Sequence, residues 1–276
     1  MSRHWFLTGA SSGIGRHLAE IILASGDDLT ATVRRPETLD DLAARYGDQL
    51  VVERLDVTVK GDIAPVVQRA EARRPVDVLV NNAGGGIIGA TEEFSDADIE
   101  GQISLNLLAP VHVTRAFIPA MRTRRAGRII QISSASGQGS LPTSSLYHAA
   151  KWGLEGFSEC LRQELEGFGV FVTLIEPGGA RTSFSRNLQY APANPAFQDT
   201  PAGQIRAMFE NAGDELYTLD PQKIAHRIFD TATSEKPPLR VALGGDAFGV
   251  IQAALKGRLS ALEAQESLAR SVAFDS

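Results

Sequence analysis

Thr8-Gly9-Ala10-Ser11-Ser12-Gly13-Ile14-Gly15 follows the short apolar run Trp5-Phe6-Leu7. It leads into a stretch with Ile14, Leu18, Ile21 and Ile22 at helical spacing. A strand, a glycine-rich turn and an amphipathic helix therefore succeed one another within the first residues of the chain. Gly9 permits a tight turn, Gly13 lets the backbone approach a pyrophosphate, and Gly15 lets the helix pack on the strand. The backbone through Ser11, Ser12 and Ile14 then offers unpaired N–H groups and the positive end of a helix dipole to that anion. Three glycines alone would be weak evidence. Between a strand and a helix they predict a dinucleotide-binding turn.

Outward from this turn, short β-branched or apolar runs recur at 5–8, 29–33, 50–55, 76–80, 127–132, 170–175 and 239–243. Between them lie helix-patterned stretches such as Leu154, Phe157, Leu161 and Leu165. Alternation of this kind predicts an α/β fold: a doubly wound parallel sheet of about seven strands (a Rossmann fold) with helices on both faces. The 276 residues, 43% hydrophobic and 22% charged, suit one such domain over 1–245, with 246–276 as a helical extension. The segment 183–214, with Pro192, Pro195 and Pro201 among Asn, Gln and aromatic residues, reads as a long loop serving as a substrate lid.

The 33 acidic residues outnumber 27 basic ones, giving a formal charge of −6 and arguing against nucleic acid as a partner. The basic cluster Arg122, Arg124, Arg125 and Arg128 reads as a solvated helix end. With no apolar run near 18 residues, no membrane span is expected, and the start is too short for a signal peptide, so the expectation is a cytoplasmic protein. The single cysteine, Cys160, has no disulfide partner within the chain and is expected to be a small buried hydrophobe. His4, His17, His112 and His226 show no metal-ligand spacing, so no metal site is expected.

The end of the second strand bears on the choice of nucleotide. A carboxylate there would hold the ribose 2′-hydroxyl of NAD; this chain has Val33-Arg34-Arg35-Pro36 instead. A guanidinium can take a 2′-phosphate bidentately, so Arg34, and after it Arg35, predict NADP(H). Asp56, with Val57, is placed to meet an adenine amino group. Asn81-Asn82-Ala83-Gly84 stands where the cofactor would cross the sheet.

Tyr147-His148-Ala149-Ala150-Lys151 puts a phenol and an ammonium one helical turn apart. Reduction of a carbonyl by hydride needs an acid for the developing alkoxide, and a tyrosine beside a lysine can give and regain that proton. At about 4 Å and an effective dielectric of about 20, the attraction is of order 4 kcal/mol, enough to lower the phenol's pKa by a few units. Lys151 could also bond a ribose hydroxyl. Ser134, at the end of the fifth strand, can donate a second hydrogen bond to the substrate oxygen. His148 points about 100° away from Tyr147 and is expected to form pocket wall.

Together Thr8–Gly15, Asp56, Asn81–Gly84, Asn106, Ser134, Tyr147, Lys151 and Pro177-Gly178 resemble the short-chain dehydrogenase/reductase family, of the compact, roughly 250-residue type. The resemblance spans about 5–245. It implies a seven-stranded sheet and a Ser-Tyr-Lys site completed by Asn106, a helix-kinking residue that would hold a water in a proton relay from Lys151. It also implies that Pro177, Gly178 and Thr182 belong to the turn holding the nicotinamide, with Thr182 on its carboxamide and the pro-S face exposed. Assembly as a homodimer or homotetramer is expected from the same resemblance. The lid aromatics Phe184, Tyr190, Phe197 and Phe209, with Leu141 and Leu146 near the site, suggest a largely apolar carbonyl or alcohol substrate, touching Ser134, Tyr147, Leu141 and Phe184. Two readings stand beside the NADP(H)-dependent oxidoreductase: a non-catalytic NADP(H)-binding sensor, disfavoured by the complete Ser-Tyr-Lys set, and sugar-nucleotide chemistry, which fits the glycine spacing poorly.

Overall fold

In the computed structural model, which describes residues 2–274, strand and helix alternate from the start. Strand β1 (His4–Thr8) turns into α1 (Gly13–Ala24), β2 (Asp28–Val33) is followed by α2 (Asp40–Tyr46), and β3 (Leu50–Arg54) by α3 (Lys60–Arg73). After β4 (Val78–Asn81) come the two-residue strand β5 (Ile87–Ile88) and one helical rod. That rod comprises α4 (Asp96–Ile103), a π-helical stretch (Ser104–Leu108) and α5 (Ala109–Arg124). Strand β6 (Gly127–Ile132) precedes α6 (Ser145–Leu165), and β7 (Val170–Pro177) precedes α7 (Ser183–Arg186), β8 (Gln189–Tyr190) and α8 (Pro201–Glu210). The chain continues through α9 (Pro221–Thr233), β9 (Arg240–Leu243), α10 (Gly245–Glu263) and α11 (Glu266–Arg270).

Seven strands form one parallel sheet in the order β3-β2-β1-β4-β6-β7-β9. Alternate residues of β1 serve opposite faces. Trp5 and Leu7 join α1 and α9 through Leu18, Ile22, Ile224 and Ile228, whereas Phe6 joins α3, α5 and α6 through Val66, Phe117 and Leu161. Burial on both faces explains why the strands read as nearly unbroken apolar runs. Strand order reverses between β1 and β4, and the glycine turn leaves β1 at that point. A crevice therefore opens at the carboxyl ends of the strands, where such sheets bind ligands.

All seven strand expectations correspond to strands, the fifth (127–132) at both ends and the others with ends shifted by up to two residues. The fourth begins at Val78, because Asp77 has turned its carboxylate onto the His4 N–H at 2.8 Å. The sixth runs on to Pro177 because β9 pairs with it as far as Pro177↔Leu243. The segment 183–214 is not the loop its composition suggests. Thr200 caps α8 by accepting from Gly203 N–H, and Pro201 occupies the first helical position, where its missing N–H costs nothing. Strand β8 pairs with β5 in parallel register, Ile87↔Gln189 and Ile88↔Tyr190.

The segment 183–214 is also clasped to the body. Arg206 donates to Glu93 at 3.2 Å and to the Ala191 carbonyl at 2.7 Å, and Glu93 takes the Asn194 N–H at 2.7 Å. Cys160 departs from expectation: it is exposed, on the side of α6 opposite to Leu154, Ser158 and Leu161. Among the described residues no helix is long and apolar enough to cross a membrane.

Phe117 is fully buried and packs edge-on to Phe6, ring centroids 4.8 Å apart. Phe117→Ala is expected to remove about 3–5 kcal/mol of stability, read as a lower denaturant midpoint at an unchanged slope.

Candidate active site

The glycine turn is riveted to the end of β4. Thr8 Oγ1 accepts the backbone N–H groups of Asn82 (3.0 Å) and Ala83 (3.1 Å), while Asn82 Nδ2 donates to the carbonyls of Thr8 (3.0 Å) and Gly9 (2.9 Å). Asn82, read from the sequence as a cofactor contact, thus spends its amide on shaping the turn. Asn81 points away, buried, with Nδ2 on Thr114 Oγ1. Gly9 and Gly13 have φ of 70° and 56°, backbone that side-chain-bearing residues avoid. A Cβ on Gly15 would lie 2.4 Å from the Gly9 carbonyl oxygen and 2.5 Å from Asn82 Nδ2.

These features fit a nicotinamide dinucleotide. Ser12 stands at the N-cap of α1 without capping it, and the first turn carries no acidic residue, so the helix start is left to an anion. The Ser12 hydroxyl instead accepts from Ser183 Oγ at 2.7 Å, which brings the start of α7 over the turn; Thr182 lies beside Gly13. Arg34 and Arg35 are exposed at the end of β2. Asp56 lies near Arg34, and its carboxyl is held below the usual range by the Thr58 hydroxyl and N–H, then by the Arg34 charge, against the effect of burial. Val57 beside it is buried.

Ser134, Tyr147 and Lys151 converge at the end of β6. Ser134 accepts the Ser136 N–H at 3.1 Å, and its hydroxyl lies close enough to the Tyr147 phenol to favour the ionised form slightly. Lys151, one turn along α6, is 5% exposed; its Nζ lies 5.6 Å from the Tyr147 ring centroid and donates to the Ile132 carbonyl at 2.8 Å. The expected lowering of the phenol is not what the structure has. Burial pushes Tyr147 up to about 12, only partly offset by the Ser134 hydroxyl. The reason is geometric: the ammonium lies over the ring and is committed to Ile132, so it does not face the hydroxyl. Burial also brings Lys151 down to about 8, with the Glu155 carboxylate working the other way.

Around this set, Phe184 stands with its ring centroid 5.8 Å from that of Tyr147. His148 accepts the Leu141 N–H on Nε2 (3.1 Å) and, as the Nδ1–H tautomer, donates to the Ser136 carbonyl (2.9 Å), so it braces the wall rather than reacting. Leu146, expected near the site, packs on the cluster of Ile87, Phe94 and Ala191. Asn106 sits in the middle of the π-helical stretch, its amide clasping Gly85 and the Gln102 carbonyl. Where a kink was expected the helix takes a π-helical turn, and this stretch packs against α6. Thr182 accepts the Phe184 N–H at 3.2 Å. Ahead of it, Gly178 donates to Leu243 O at 3.0 Å, and Gly179 to the carboxylate of Asp246 at 2.8 Å.

Ser183 and Asp246 were not legible as site residues, since neither lies at a diagnostic spacing. The first turn of the C-terminal extension thus holds the turn assigned to the nicotinamide. A cleft of about 340 Å³ is lined by Glu93, Thr143, Asn194, Phe197 and Arg206 among others; none of Ser134, Tyr147, Lys151 or Phe184 lines it. Among the described residues no group of three or more His, Cys, Asp or Glu gathers as metal ligands.

A dinucleotide cradle and a Ser-Tyr-Lys set at a strand-order reversal define an oxidoreductase architecture. The family model for short chain dehydrogenases matches residues 3–192, and the chain belongs to that family. An oxidoreductase of Botryotinia fuckeliana, BOA17, is 35% identical over 250 residues, covering 90% of each chain. A solved short-chain dehydrogenase from Streptomyces avermitilis is 37% identical, with a TM-score of 0.90 over 99% of this chain and 98% of that one. The closed form of a serine dehydrogenase, complexed with NADP+, is 30% identical, with a TM-score of 0.73 over 87% and 93% of the two chains. A more distant solved structure of the same fold is in complex with NAD.

Gly15→Ala is expected to push the Gly9 carbonyl and Asn82 out of place. Affinity for NADPH, followed by fluorescence titration, should fall by about tenfold or more while the far-UV spectrum stays native.

Proposed function

We propose that this protein interconverts a ketone or aldehyde and an alcohol with NADP(H), using Tyr147 as acid and base. The observation that carries the reading is Tyr147 held against Ser134 one helical turn from the buried Lys151, at the mouth of the glycine cradle. Glycine cradle and helix end would hold the pyrophosphate, Arg34 and Arg35 the 2′-phosphate, and Lys151 a ribose hydroxyl. When bound, the reduced cofactor supplies a hydride to the carbonyl carbon.

Ser134 and the Tyr147 hydroxyl would bond the carbonyl oxygen and hold it in place. With its pKa near 12, Tyr147 enters the neutral range protonated and gives that proton to the alkoxide as it forms. The buried Lys151 ammonium is the nearby source from which the phenolate would be reprotonated, a transfer that needs Nζ to turn from the Ile132 carbonyl toward the hydroxyl. The reverse reaction runs through the same groups, with the phenolate as base. Phe184 beside Tyr147 and the aromatic residues of the lid support a largely apolar substrate excluded from water.

Tyr147→Phe is expected to lower kcat for a panel of ketones by about 10²–10⁴-fold, with NADPH affinity unchanged within about threefold. Survival of turnover in the variant would overturn the acid–base assignment; a wild-type protein that binds NADPH and turns over no carbonyl compound would favour a cofactor-binding sensor. Arg34→Ala should raise KM for NADPH by about tenfold or more and leave KM for NADH nearly unchanged. Because Lys151 loses its proton as pH rises through about 8, kcat/KM for reduction is expected to fall on that alkaline limb.

A further inference from the structure

Behind the reacting groups lies a second cluster of titratable side chains, to which no part of the proposed reaction assigns a role. Glu155 on α6 and Glu176 on β7 are 5% and 2% exposed, and their carboxyl groups lie close together on the same Arg240 Nε, at 2.9 and 3.7 Å. Each has a further tight contact. Ser133 Oγ donates to Glu155 Oε1 at 2.5 Å, and Gln138 Nε2 donates to Glu176 Oε1 at 2.5 Å. A Cβ on Gly137 would lie within 2.9 Å of both Ser133 Oγ and Glu155, so the turn of 135–137 closes over the pair with no room to spare.

The cationic side of this cluster is Arg240 on β9. It meets Glu155 at 2.9 Å, Glu159 at 2.7 Å and Glu176 at 3.7 Å. Lys151, one turn before Glu155, faces the same cluster from its other end. From α10 the charged approach is that of Arg258, which donates to the backbone carbonyl of Gln138. One guanidinium thus serves three carboxyl groups, two of them out of water and close together. Two such carboxylates cannot both ionise at neutral pH without a large cost, and the lower-energy state keeps one proton between them.

We propose that Glu155 and Glu176 form a proton-sharing carboxyl pair that positions the Ser133–Ser134 strand end and sets the charge state of Lys151. The inference rests on the reading of Ser134, Tyr147 and Lys151 given above. Glu155 reaches the catalytic groups by two routes. Through Ser133 it fixes the backbone that carries Ser134, and through its charge it holds the proton on Lys151, whose Nζ is bonded to the residue before Ser133. Glu176 decides how much charge Glu155 carries. Burial first, and then the Glu155 charge, raise Glu176 from 4.5 to about 7, with Gln138 and Arg240 opposing. Because the folded protein holds this proton more tightly than the unfolded chain, the pair's contribution to stability is full below about pH 4.5. It is lost as pH rises toward 7.

Glu155→Gln and Glu176→Gln keep shape and hydrogen-bonding capacity while removing one charge each. In the cofactor-free protein, the Lys151 signal can be followed by NMR of ε-13C-lysine and assigned by its loss in Lys151→Arg. Glu155→Gln is expected to lower the Lys151 midpoint by about one pH unit and to move the alkaline limb of kcat by the same amount, with KM changed by less than about threefold. Glu176→Gln removes the carboxyl group with which Glu155 would share a proton. It should hold the Lys151 midpoint at or above the wild-type value and flatten the fall in Tm between pH 5 and 8.

An unmoved Lys151 midpoint in folded Glu155→Gln overturns the proposal. If that variant does not fold, an unflattened Tm profile in Glu176→Gln overturns it, and a flattened one supports the shared proton. A shifted midpoint in a protein that reduces no carbonyl compound supports the coupling and instead removes the reading of the site on which it was built.

Discussion

The ammonium of Lys151 is buried at 5% exposure and hydrogen-bonded to the carbonyl of Ile132, and the chemistry of the strand end is organised around the cost of that burial. An enclosed cation without partners is expensive, and this one is pulled down to about 8 even with its partners in place. Its hydrogen bond ties α6 to the end of β6 and, with the Ser133–Glu155 bond, registers the helix that presents Tyr147 against the strand that presents Ser134. The bond to Ile132 keeps the ammonium over the phenol ring and off the hydroxyl. That is why burial, rather than the neighbouring charge, governs the acidity of Tyr147.

Two segments that read as peripheral are structurally continuous with this centre. The segment 183–214 is joined to the body by the β5–β8 pairing, by the Arg206–Glu93 clasp and by Ser183 on the Ser12 hydroxyl, so its position is coupled to the glycine turn. The C-terminal extension begins with Asp246, whose carboxylate holds the Gly179 N–H, and its Arg258 rests over the Trp152 ring and bonds Gln138. Gln138 in turn bonds Glu176. Helix α10 therefore braces both the turn after β7 and the turn after Ser134, the two backbone segments between which a reacting carbonyl would have to sit.

Local pattern was sufficient for the parallel sheet, the glycine turn and the Tyr147–Lys151 pair. Each depends on residues close in sequence: alternating burial on a strand, a cradle of eight consecutive residues, and a spacing of four on a helix. The resemblance added Asn106, whose place in a π-helical stretch no spacing within this chain would indicate. Composition misled at 183–214, because Pro201 and Thr200 look like loop formers and act as a helix start. It misled again at Cys160, where a mid-helix position left open which side of α6 would face water.

The sequence by itself determined the order of elements, the place of the glycine turn and the one-turn spacing of Tyr147 and Lys151, since these are fixed by short-range sterics and helical geometry. The tertiary structure alone decided that Asn82 shapes the turn, that Asp246 belongs to the site, and that Glu155 and Glu176 lie close together. Those contacts join residues about 20 to 75 positions apart, brought together by the crossovers of the sheet. The acidities of Tyr147, Lys151 and Glu176 belong to the same category. Dielectric and charge are properties of everything packed nearby, and proximity of that kind is not written in any local stretch of the chain.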